Sequence, residues 1–180
     1  TGTAWEPLGS GFDGKVLALA VFDDGGGAAL YAGGNFSSSG QLALPGIARW
    51  DGGAWSDVGG GVLAGANPGD VEALEVHDDG GGLSLFVAGA FSQAGGVAAN
   101  NVARWNGTSW SALGSGLDAR AFALESAAVG GPSALFVGGQ FTTAGGNPAS
   151  RIAKWTNIPK PPITQFSANP TFTCSGNVTF

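Results

Sequence analysis

An all-β chain built from three copies of one four-stranded unit is what the sequence predicts, and three observations carry that expectation. Tryptophans recur at fixed places, the runs around them are short and rich in Val, Leu, Ile and aromatics, and Asp-Gly, Asn-Gly and Gly-Gly steps separate those runs. Trp5, Trp55 and Trp110 correspond across the copies, as do Trp50, Trp105 and Trp155. The first interval is 50 residues and the second 55, and the loop around Gly65 to Gly69 holds the five extra. No stretch shows the 3.6-residue apolar stripe of a helix.

The copies span residues 4–53, 54–107 and 109–157. In order they read WEPLGSGF, VLALAV, ALYAGGNF and GIARWDG; then WSDVGGGV, VEALEV, SLFVAGAF and NVARWNG; then WSALGSGL, AFALES, ALFVGGQF and RIAKWTN. Asp23-Asp24-Gly25-Gly26 and Asp78-Asp79-Gly80-Gly81 are hairpin turns, because glycine takes the positive φ that such turns require. The third copy has Val129-Gly130-Gly131 at this place. Asp51-Gly52 and Asn106-Gly107 mark a second tight hairpin, leading into the next WxxLG-type strand. The pairs Gly33-Gly34, Ala88-Gly89 and Gly138-Gly139 fall inside a strand, where a missing side chain signals close approach of a neighbour. A period near 50 with four short strands is the signature of β-propeller-type units.

Beyond residue 157 the pattern stops. Pro159, Pro161 and Pro162 make residues 158–162 a stiff linker. Residues 163–180 form an extended β tail with two strand-like runs. Cys174 is the only cysteine, so no disulfide forms within this chain, and the absence of methionine is read as a processed product or a fragment.

Glycine and proline, 34 and 9 residues, make up about a quarter of the 180-residue chain, a level that borders on low complexity. Against that stand 43% hydrophobic residues and six tryptophans, enough apolar surface to offset the entropy of ordering. Charged residues are 11%, and the net charge of -6 leaves no basic stripe for a nucleic acid. No apolar run reaches the length of a membrane span. A weakly charged, acidic surface rich in Gly, Ser, Thr and Ala matches exported bacterial proteins, so an extracellular or cell-surface location is expected, with cytosolic residence as the rival.

The set LYAGGNF, ARWDG and WxxLGxG resembles kelch-type repeats, their bacterial relatives and the repeats of cortical polarity markers over residues 4–157. Ala88 departs from the Gly-Gly pair, and the tyrosine spacing of kelch repeats is not reproduced. The tail resembles the opening strands of a PKD or other immunoglobulin-like module. Such resemblance implies export and a multidomain parent.

No catalytic, cofactor-binding or metal-ligating residue is expected. His77, the lone histidine, aligns with Phe22 and Ala127, and a catalytic role needs a nucleophile or second ligand beside it. Gly9 to Gly14, Gly59 to Ala64 and Gly114 to Ala119 match the dinucleotide fingerprint, yet strands rather than helices follow them. Asp23, Asp24, Asp78 and Asp79 are read as turn formers rather than calcium ligands. Glu6, Glu72, Glu75 and Glu125 show no partner of the kind a glycosidase needs. Arg49, Arg104 and Lys154 precede a tryptophan in every copy, and that repetition reads as structural: a stem covering a ring and a charge reaching a carboxylate. Asn35, Asn106 and Asn177 fit the N-glycosylation pattern.

The ends carry the functional expectation. The WxxLG strand at Trp5 has no earlier copy to complete, and the third copy lacks one after Trp155, so each end offers an open β edge. A secreted, non-enzymatic structural or interaction protein follows, assembling with other copies or with further repeats by strand complementation, and forming a fibre if the rotation does not close. Trp5, Leu8, Trp155, Ile163 and Phe166 are the candidate contact residues. Alternatives are a glycan-binding lectin or adhesin and a fragment of a larger propeller.

Overall fold

The computed structural model describes residues 4–156. They contain no helix and form antiparallel sheets throughout. The first sheet runs β1 (Lys15–Asp23), β2 (Ala28–Asn35), β3 (Ile47–Trp50) and β4 (Trp55–Ser56), each strand beside its sequence neighbour. The second repeats this with β5 (Asp70–Asp78), β6 (Leu83–Ala90), β7 (Val102–Trp105) and β8 (Trp110–Ala112). The third has three strands, β9 (Ala121–Ala127), β10 (Ala134–Gly139) and β11 (Ile152–Trp155). The sheets thus cover 15–56, 70–112 and 121–155, so the tryptophan strand that opens each later sequence copy is the outer strand of the sheet before it.

The sheets pack in sequence, β1 against β5 and β5 against β9. Alternation along the strands supplies the contact faces. Val71, Leu74 and Val87 of the second sheet join Tyr31 and Ile47 of the first in one core, and Phe86 and Ala88 of the second join Leu135 and Val137 of the third in another. Phe36, Phe91 and Phe141, each following the second strand of its sheet, are all buried.

The in-strand glycines have two different causes. A Cβ on Gly34 would lie 1.9 Å from the Lys15 carbonyl oxygen, on Gly89 2.0 Å from that of Asp70, and on Gly139 2.4 Å from that of Arg120. Backbone presses on the second member of every pair, beside the irregular register at Val16/Ala18, Ala88/Gly89 and Ala121/Ala123. The first member meets the neighbouring sheet instead. A Cβ on Gly33 would sit 2.3 Å from Val71 Cγ1, whereas one on Gly138 has nothing nearer than Ala123 Cβ at 3.9 Å. In the middle copy Ala88, fully buried, shares its core with Ala121 of the third sheet, which stands where Val71 crowds Gly33.

A short hairpin follows each second strand: Ser38–Ser39 with Leu42–Ala43, Gln93–Ala94 with Val97–Ala98, and Thr143–Ala144 with Asn147–Pro148. Two chemistries anchor them to the loop after the tryptophan. Asp13 Oδ1 accepts from the Ser37 and Ser38 amides, and Asp118 Oδ1 accepts from those of Thr142 and Thr143 at 2.8 and 2.9 Å. In the middle copy Leu63 stands at this position, and a backbone ladder from Val62–Ala64 to Gln93–Ala94 takes over.

Candidate functional site

The Asp-Asp-Gly-Gly turns divide labour between their carboxylates. Asp23 and Asp78 accept from the amides two and four residues on, which closes the turn. Asp24 and Asp79 face the third strand of their own sheet. Arg49 Nε lies 2.7 Å from Asp24 Oδ2, and Arg104 Nη1 lies 2.9 Å from both carboxylate oxygens of Asp79. Tyr31 also donates its hydroxyl to Asp24 at 3.0 Å. Burial opposes the charge of Asp24, but hydrogen bonds from the Gly26 amide, Tyr31 and Arg49 hold its carboxyl below the ordinary value. Tyr31 is pushed up to about 12 by burial and by that carboxylate. In the third sheet Lys154 has no carboxylate partner among the described residues, because Ala128-Val129 replaces the aspartates.

Two residues whose spacing shows no partner have one in the structure. His77 does have a hydroxyl beside it: its Nδ1 is 2.7 Å from Ser126 Oγ on the third sheet, and the imidazole is buried edge-on to Phe86. Glu75 accepts from the Ser126 amide, and burial pushes its carboxyl above the ordinary carboxylate value. Glu72 has a cation as its partner: Arg120 spans Asp70 and Glu72, the latter at 2.7 Å, linking the second and third sheets. These contacts formed between residues about 50 apart, which single-copy spacing did not reveal.

The glycine-rich loops are turns. Gly9 and Gly11, Gly59 and Gly61, and Gly114 and Gly116 all have positive φ, and each loop closes with an amide three residues on donating to the carbonyl of Leu8, Val58 or Leu113. The tryptophans use the same carbonyls. Trp55 Nε1 donates to Leu8 O at 3.1 Å, and Trp110 Nε1 donates to Val58 O at 2.9 Å. Each of these rings tilts against the tryptophan opposite it, Trp50 or Trp105, with centroids 5.2 and 5.3 Å apart.

The two ends of the stack differ from its middle. Trp5 is fully exposed and Leu8 is exposed, and neither lies in a strand. On β1, Leu17, Leu19 and Val21 face outward uncovered. At the other end Ile152 is 67% exposed, while its counterparts Ile47 and Val102 are 0% and 4%. Beside β11, half-buried Trp155 floors a cavity of about 260 Å³ walled by Leu113, Leu117, Leu135, Val137 and Ala153.

Asn106 lies on an exposed turn and accepts through Oδ1 from the Thr108 and Ser109 amides. Asn35 ends β2, exposed, with its amide nitrogen bonded to Asp70. Asn177, Ile163 and Phe166 lie outside the described residues, as does the linker. Among the described residues no group of three or more His, Cys, Asp or Glu is arranged to hold a metal ion, and no helix is long and apolar enough to cross a membrane. Comparison with family models, with curated proteins and with solved structures finds no match. The likeness to kelch-type repeats and to a PKD-like tail therefore stands on sequence motifs alone.

Proposed function

We propose that the chain is a secreted, non-enzymatic structural unit of β-propeller type that assembles with further copies through its open sheet edges. One observation carries this reading: among the described residues the third sheet ends at β11 with three strands, where the other two sheets have four. An unpaired strand leaves amides and carbonyls ready for another strand, and natural sheets either cover such an edge or use it. The apolar residues left uncovered at both ends, Leu19 and Val21 on one side and Ile152 on the other, favour use. Contacts that run head to tail between unlike surfaces propagate into fibres or close into rings according to the rotation per copy. The extracellular setting is supported by the composition: few charges, abundant Gly, Ser and Thr, and an acidic balance.

Sedimentation of the full chain across a concentration range, with electron microscopy of the same samples, tests the reading. Rings or filaments growing with concentration are expected. A monodisperse monomer at the highest concentration overturns it.

A further inference from the structure

We propose that the cavity beside β11 is a tryptophan socket, and that its occupant is Trp5 of a second copy, whose Trp5–Gly9 segment adds as the fourth strand of the third sheet. This rests on the self-assembly reading and names the contact that assembly uses.

The same socket occurs twice more in the molecule with its occupant in place, once around Trp55, which clusters with Phe12, Leu30, Ala32, Ala48 and Trp50, and once around Trp110. Trp110 packs among Val58, Val62, Leu85, Val87, Ala103 and Trp105. Shifted to the third copy, those positions are Leu113, Leu117, Leu135, Val137, Ala153 and Trp155, and all six line the cavity. The glycines agree. A Cβ on Gly95 would strike Trp110 Cδ1 at 2.3 Å and one on Gly59 would reach Trp110 Nε1 at 3.1 Å, whereas Gly145 has nothing within 4 Å and Gly114 nothing nearer than 3.9 Å. The polar partner is also ready. Leu8 O and Val58 O each accept two hydrogen bonds, one from the loop amide and one from an indole, whereas among the described residues Leu113 O accepts the Gly116 amide alone. A carbonyl has two lone pairs, so the indole N–H of an incoming tryptophan completes the set.

Trp5 fits because its segment is the same motif. Trp5-Glu6-Pro7-Leu8-Gly9 aligns with Trp55-Ser56-Asp57-Val58-Gly59 and Trp110-Ser111-Ala112-Leu113-Gly114. The register follows from the second sheet, where Trp105 pairs Trp110 and Arg104 pairs Ser111. Docked alike, Trp5 lies opposite Trp155 and Glu6 lies opposite Lys154. That places a carboxylate beside the one cation of its class that has no acidic partner among the described residues. Pro7 takes the place of Ala112 on an outer strand, where a missing N–H is tolerated. The chain then continues from Gly9 into β1, bringing Leu19 and Val21 over the face that leaves Ile152 exposed, as the second sheet covers the first.

The test combines sedimentation of the full chain with competition by a synthetic peptide of residues 4–11. Trp5→Ala is expected to weaken assembly at least about 30-fold, the behaviour of an anchor aromatic, with an unchanged circular dichroism spectrum. The peptide is expected to dissolve assemblies, and its alanine-for-tryptophan version to leave them intact. Glu6→Lys and Lys154→Glu are each expected to weaken assembly by about two- to fivefold, and the double exchange to restore it. Assembly that survives Trp5→Ala and ignores the peptide overturns the socket while leaving self-assembly standing. Failure of the double exchange to restore assembly overturns the register. A monomeric full chain overturns both self-assembly and the second copy as occupant.

Discussion

The second and third sheets are built from two copies of one motif and end differently. The second has four strands, a tryptophan seated on its third strand, an arginine clamped by a turn aspartate, and a neighbour on each face. In the third, the outer strand, the indole and the aspartate are all missing among the described residues, and Ile152 and Phe122 are exposed. The lesson is that the repeat is not self-contained: its last strand and its last hydrogen bond come from the segment that follows.

Truncating the two tryptophans should give the widest separation. Trp110→Ala empties a filled site and is expected to cost about 3–5 kcal/mol, whereas Trp155→Ala, with an open cavity beside it, is expected to cost no more than about 2 kcal/mol. Denaturant melts of both variants measure this, and equal losses would break the comparison.

Alanine at the paired glycines separates backbone pressure from sheet-to-sheet spacing. Gly89→Ala drives a methyl group into the Asp70 carbonyl and is expected to destabilise by roughly 1–3 kcal/mol or more. Gly138→Ala has room and is expected to stay within about 0.5 kcal/mol of the parent. A large loss at Gly138 would mean that the third sheet is covered on the face taken here as open.

Removing the cations tests the turns. Arg104→Ala strands the Asp79 carboxylate, only 8% exposed, and is expected to cost about 1.5–3 kcal/mol; Lys154→Ala should change stability by under about 0.5 kcal/mol. Thermal melts suffice, and a Lys154 effect as large as that of Arg104 contradicts the difference between the sheets.

The smallest effect concerns acid. The Thr142 hydroxyl, then the Thr143 and Thr142 amides, hold Asp118 at about 2, and Ser37 and Ser38 depress Asp13 in the same way. A carboxyl whose folded value is depressed stabilises the fold above its unfolded value of about 3.9, and that contribution fades as pH falls towards 2. Asp118→Asn should therefore lower the melting temperature at neutral pH and leave it nearly unchanged near pH 2. Both carboxylates are solvent-exposed, so the shift is expected to be modest. The middle copy, with Leu63 in this role, has no such group to titrate.

How far the sequence could be read follows from the range of each interaction. Strands, hairpin turns and the repeat depend on neighbours within about ten residues, and Asp23-Asp24-Gly25, Trp50 and Gly34 announce them. The pairings between sheets depend on residues about 50 apart: His77 with Ser126, Arg120 with Glu72, Trp110 with Val58. Alignment of the copies shows that such positions recur, but neither Ser126 nor Glu72 is marked by its own surroundings as a partner. The cavity at Trp155 was least legible, since it is defined by a strand that the third sheet lacks among the described residues. Its signal was present all the same, in the tryptophan motif that stands once more often than it is used.

The packing of β1 on β5 and β5 on β9 has a consequence for how the molecule comes apart. A stack in which each layer leans on the next behaves as a one-dimensional array, whose stability is a sum of layer terms and nearest-neighbour terms. The middle layer has two neighbours and the outer ones have one. Loosening should then begin at the margins and move inward, so the amides of β11 exchange with solvent sooner than those of β6. An added copy at the margin converts an outer layer into a middle one, which makes growth of the array and protection of its last layer a single event.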